Sequence, residues 1–139
     1  MEKVFEIYIK TSPEDLWDAI TAPGGMVKFF VPPGADLPEI PSSSEELESD
    51  PPRRLSYRMT AEWSEAVKAE PPSRITMEIE PVGSSCRLRV VHDELREEAN
   101  DELYGGWPMI LSALKTRLET GEHLDTPASL RFATPAGKE

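Results

Sequence analysis

The sequence predicts an α+β fold in which one long C-terminal helix packs on an antiparallel sheet. Three observations lead there. Residues 105–121 read as a complete helix with its own start, apolar stripe and stop. Several short segments alternate apolar and polar residues with the period of a half-buried strand. Those segments are joined by short links without the crossover helices that parallel strands require, so neighbours in sequence must pair antiparallel. With 139 residues the chain is one domain by size, residues 1–124, followed by a polar, proline-punctuated flexible tail, residues 125–139.

Each element follows from its residues. Val4 to Lys10 alternates, placing Phe5, Ile7 and Ile9 on one face of a first strand. Thr11 or Ser12 then caps a helix whose first turn holds Pro13, Glu14 and Asp15, with Leu16, Trp17 and Ile20 as its apolar face. Pro23-Gly24-Gly25 ends it, and a short helix or turn carries Met26, Val27, Phe29 and Phe30. Residues 31–52 combine prolines, Ser42-Ser43-Ser44 and the acidic run Glu45, Glu46, Glu48 and Asp50, a composition that makes a poor strand and reads as a loop or short helix. Alternation resumes at Leu55, Tyr57 and Met59, and a short connection through Trp63, partly helical around Ser64 to Lys68, reaches Pro71-Pro72. Arg74 to Glu80 and Cys86 to His92 form a hairpin, with Glu78 and Glu80 on the solvated face. In the long helix Pro108 occupies the first turn, Leu111, Leu114 and Leu118 recur one turn apart behind Trp107, and Gly121 supplies a left-handed C-cap.

Composition limits the function. A net charge of −11 argues against nucleic acid and against an anionic membrane surface, both of which need clustered Lys and Arg. Cys86 is the only cysteine, so neither an intrachain disulfide nor a cysteine-based metal site can form. The N-terminus runs straight into a strand without signal-peptide character, and no run is long and apolar enough to span a membrane, so the expected setting is cytoplasmic. His92 and His123 fit no metal-ligand spacing, and no metal or cofactor is expected. The serines lack a nucleophile elbow and a base, the Gly24-Gly25 and Gly105-Gly106 pairs match no phosphate-binding pattern, and Cys86 reads as a small core residue. No catalytic residue is assigned. His92 beside Asp93 is the one candidate base, against the plainer reading of a strand-end histidine making a local hydrogen bond.

The helix pattern GGW-x3-L-x2-L-K-x2-L-E-T-G, with TSPEDLWDAIT, DPPRRL and EPPSRITMEIEPVG, resembles the START-like superfamily, in the branch named for the activator of the heat-shock-protein-ninety ATPase. The resemblance covers residues 4–20 and 50–121 and implies a helix-grip fold: a curved antiparallel sheet closed on the long helix, here with a shortened set of middle strands because residues 31–52 do not match. In such domains the space between helix and sheet holds hydrophobic ligands, which directs attention to Phe30, Tyr57, Met77, Tyr104, Trp107 and Leu111. The expected function is therefore non-enzymatic binding of a small hydrophobic molecule. A polyketide cyclase or aromatase using His92, Tyr57 or Tyr104, and a chaperone-activator-like interaction module, are the alternatives. A shortened sheet would also leave an open edge, through which a homodimer could form.

Overall fold

The computed structural model describes residues 1–21, 42–62 and 64–124. In chain order these form β1 (Lys3–Ile9), α1 (Pro13–Thr21), β2 (Ser42–Asp50), β3 (Arg54–Ala61), the single turn α2 (Glu65–Lys68), β4 (Ser73–Val82), β5 (Ser85–Asp93), a 3-10 turn (Asp101–Leu103) and α3 (Trp107–Thr120). The strands make one curved antiparallel sheet in the order β1-β5-β4-β3-β2. No helix among the described residues is long and apolar enough to cross a membrane.

Alternation decides which side of the sheet is dry. The inner face carries Phe5, Ile7 and Ile9 of β1, Leu55, Tyr57 and Met59 of β3, Ile75, Met77 and Ile79 of β4, and Cys86, Leu88 and Val90 of β5. These meet Leu16, Ala19 and Ile20 of α1 and Trp107, Leu111, Ala113 and Leu114 of α3 in one core. A smaller cluster of Ala61, Val67, Leu95, Ala99 and Leu103 anchors α2 and the segment before α3. The outer face is charged: Arg54 pairs with Glu48 and Glu78, Arg74 with Asp93 and Glu94, and Arg87 with Glu6 and Glu80. Glu78 and Glu80 thus lie on the solvated face, as alternation requires.

The helix ends are chemically specified. Ser12 is the residue that caps α1, its hydroxyl accepting from the Asp15 N–H at 3.1 Å. Pro108 sits in the first turn of α3, and Gly121 closes it at φ 79°, donating its N–H to the Arg117 carbonyl at 2.8 Å. Gly105 is needed for a close approach, since a Cβ there would stand 2.8 Å from the Asp101 carbonyl oxygen.

One expectation is corrected. Ser42–Asp50, read above as loop or short helix within residues 31–52, is a strand paired along its length with β3, with a register shift between Glu46 and Glu48. Side chains 44–49 are all exposed, so a polar sequence loses nothing by being extended there; the backbone bonds to β3 carry the strand, and no apolar alternation marks it. A cis Pro51-Pro52 bond lies in the turn to β3. The β4–β5 hairpin is also tighter than expected, with Gly83 and Ser84 as its turn and Gly83 at φ 60°. The readings on Pro23-Gly24-Gly25, Met26 to Phe30, Trp63 and the tail after Leu124 lie outside the described residues.

The two sheet edges differ. On β1, the Lys115 Nζ of α3 donates to the Tyr8 carbonyl at 2.9 Å, and the Lys10 N–H donates to Glu119 Oε2 at 2.8 Å. Lys115 and Glu119 are themselves paired at 2.6 Å. The long helix therefore engages the C-terminal end of this edge with an ion pair, whereas among the described residues β2 pairs only with β3.

Candidate functional site between the long helix and the sheet

The interior between α3 and the sheet is organised around His92. This residue ends the inner row of β5 and is 0% exposed. Its Nδ1 lies 3.2 Å from the indole Nε1 of Trp107, and its Nε2 lies 2.8 Å from the hydroxyl of Ser73 on β4. An indole N–H can only donate, so Nδ1 must carry the lone pair and Nε2 the proton, which is donated to Ser73. The two rings meet edge to face, 6.3 Å between centroids and 89° between planes. Burial lowers the His92 pKa to about 4, against an opposing effect of Asp93, whose carboxylate is held on the outer face by Nε and Nη2 of Arg74. His92 is thus a neutral bracket fastening the start of α3 to β4 and β5.

This geometry answers the question of a base. His92 faces inward, as a general base must, but both its ring nitrogens are engaged by protein groups. It makes the local hydrogen bond of the plainer reading, in a deeper position than a strand end suggests. Cys86 is buried, its thiol donating to the Thr11 carbonyl at 3.3 Å, and burial pushes its pKa up, so it lacks thiolate character. In native protein Cys86 is expected to react with a disulfide reagent only at the rate of unfolding; rapid stoichiometric labelling would contradict this.

The residues singled out for ligand contact occupy two kinds of position. Met77, Leu111 and Trp107 are 1%, 3% and 5% exposed and are packed into the main core. Tyr57 and Tyr104 are only partly buried and lie against that core from its margin. Burial raises the Tyr57 pKa to about 12. Tyr104 spans both clusters and carries the Lys3 ammonium 4.9 Å above its ring centre. Phe30 lies outside the described residues.

Sequence reading missed a groove on the opposite face of the sheet. It has a volume of about 310 Å³ and is lined by Leu47, Glu48, Arg54, Ser56, Arg74, Thr76, Glu78, Val91 and Asp93. Its floor is a cross-strand row: Val91 opposite Thr76, Thr76 opposite Ser56, and Ser56 opposite Glu48 beside the bulge. The Ser56 and Thr76 hydroxyls are hydrogen-bonded at 3.0 Å. A signal was present in Ser56, Thr76 and Val91, short or β-branched residues set between charged ones on three outward-facing rows.

The family model described as "Activator of Hsp90 ATPase homolog 1-like protein" matches residues 22–119, which span β2 to β5 and nearly all of α3. The chain belongs to this family. No protein of curated function matches it. Solved structures agree with the helix-grip architecture of this Hsp90-activator-like chain. The crystal structure of CalU16 from Micromonospora echinospora superposes with a TM-score of 0.68 at 21% identity, covering 94% of this chain and 80% of that one. The solution structure of the Aha1 dimer from Colwellia psychrerythraea gives 0.67 at 19%, covering 87% and 98%. DynU16, a putative protein in the dynemicin biosynthetic locus, gives 0.63 at 16%, covering 88% of this chain and 48% of that one. At these identities the likeness establishes the fold, and function must be argued from this chain's own residues.

Proposed function

We propose that this member of the Hsp90-activator-like family is a non-enzymatic binder of a small, mainly apolar molecule carrying one hydrogen-bond acceptor. The observation that carries the reading is Tyr57: a phenol on the inner face of the sheet, partly buried against the margin of the core, with a pKa raised by burial. A half-buried phenol at the margin of an apolar core can offer its hydroxyl to a ligand with one polar group while its ring meets the apolar part. Tyr57 and Tyr104 would face the ligand, while Met77, Trp107 and Leu111 form the wall behind them and Phe30 is a further contact. The closed hydrogen bonding of His92 supports binding over cyclase or aromatase chemistry.

The test is native mass spectrometry and thermal shift against lipid, steroid and aromatic polyketide-like collections, followed by titration of any hit. Tyr57→Phe is expected to weaken the hit about fivefold, the value of one hydrogen bond. A hit that binds Tyr57→Phe as tightly as wild type, or the absence of any hit, removes the reading.

The homodimer expected through a sheet edge is favoured by the dimeric Colwellia homologue and opposed by charge. Antiparallel pairing of two β2 strands would set Glu45, Glu46 and Glu48 of each copy against those of the other. Light scattering over a wide concentration range decides this; a monomer throughout removes the dimer.

A further inference from the structure

We propose that β2 is a docking edge for a basic, extended segment of another protein, which adds to the sheet as a further strand. This inference is independent of the ligand reading and concerns the opposite end of the sheet. β2 ends the strand order, so among the described residues only one of its two rows of backbone N–H and C=O groups has a ladder partner. Side chains 44–49 are exposed. The β1 edge, by contrast, is engaged at its C-terminal end, where the Tyr8 carbonyl accepts from Lys115 and the N–H of Lys10, just past the strand, donates to Glu119. Strand addition is therefore directed to β2.

Charge selects the occupant. β2 reads SSSEELESD, with four carboxylates and no basic residue. Glu48 pairs with Arg54 at 2.8 Å, Glu45 reaches Arg58 at 3.6 Å, and Asp50 pairs with Arg53. Glu46 has no ion pair among the described residues. An incoming strand lays its side chains beside these, where like charges repel and opposite charges attract, so a segment alternating Lys or Arg with β-prone residues fits and a second acidic β2 does not. The register shift beside Leu47 adds a second element. Leu47 and Glu48 form the lip of the outer-face groove floored by Ser56, Thr76 and Val91, so an apolar side chain of the added strand can rest against Leu47 at its mouth.

The experiment titrates the full chain into a labelled peptide of roughly eight residues alternating lysine with valine and threonine, the usual strand-forming pattern. A second peptide of the same sequence is N-methylated at alternate residues, keeping the charge and losing the donors. Binding of the first, its loss on N-methylation, and slowed amide exchange within residues 44–49 are the expected results. The triple variant Glu45→Lys, Glu46→Lys, Glu48→Lys, built on exposed side chains, is expected to bind at least about tenfold more weakly. Equal binding of both peptides would show attraction by charge alone and overturn the proposal. So would protection elsewhere, no binding, or unchanged binding by the triple variant, the result expected if the carboxylates only shield the edge.

Discussion

Replacing Trp107 by alanine is expected to lower folding stability by about 3–5 kcal/mol, a large share of what a domain of this size possesses. Two losses combine. The ring fills the space between the start of α3 and the sheet at 5% exposure, so truncation leaves a cavity bordered by elements that can only partly collapse. The same truncation strands His92 Nδ1, a buried acceptor whose partner is the indole N–H. Trp107→Phe separates the two, keeping most of the volume and losing the donor, at an expected cost of about 1–3 kcal/mol. Urea unfolding of the three proteins checks the order. An alanine variant within about 1 kcal/mol of wild type would refute the bracket and the packing together.

Acid is expected to loosen the same bracket. The folded pKa of His92 is depressed to about 4 from an ordinary value of 6.5, so the unfolded chain takes up its proton first. Stability then rises with pH between these values and falls on acidification from about pH 6.5 toward pH 4, by about 3 kcal/mol at most. Burial of the ring is the cause of the depressed pKa, and the hydrogen bonding accords with it, since a proton on Nδ1 would point N–H at the N–H of Trp107. The carboxylates of Asp93, Glu70 and Glu119 have lowered pKa values, held down first by hydrogen bonds from Arg74, Arg96 and Lys115. Their stabilisation is present above the ordinary carboxylate range and is lost below it, at more acidic pH than the His92 window. Relief of the −11 net charge acts in the opposite direction. The informative quantity is therefore the difference between wild type and His92→Gln, in which the carboxylates and net charge largely cancel. Wild type should lose stability more steeply than His92→Gln between pH 6.5 and 4, and parallel curves would contradict the assignment.

The long helix was legible because every signal in it agreed: Pro108 near the start, Gly121 at the end, and Trp107, Leu111, Leu114 and Leu118 in register. The β4–β5 hairpin was legible for the same reason, since one dry face and one wet face write themselves as alternation. β2 was not, because neither of its faces is buried and its pairing with β3 rests on backbone groups that every residue possesses. Site residues followed this division. Alternation places Tyr57 and Met77 on the inner face, but no local pattern tells that His92 meets both Trp107, fifteen residues on, and Ser73, nineteen residues back. The outer-face groove was harder still, because its floor takes single residues from separate strands that only the register aligns.

The inequality of the two sheet edges reaches beyond the single molecule. Indefinite stacking of sheets end to end needs an open edge at both sides of every copy, so that each addition creates the site for the next. Here the helix that closes the core also plants a cation and an anion on one of those edges. A strand joining at β2 would meet an acidic edge, while at the far edge the Tyr8 carbonyl and the Lys10 N–H are already engaged by α3. The two ends of the described sheet are thus chemically unlike, and an end-to-end repeat of identical copies would have to break the contacts of α3 with one of them.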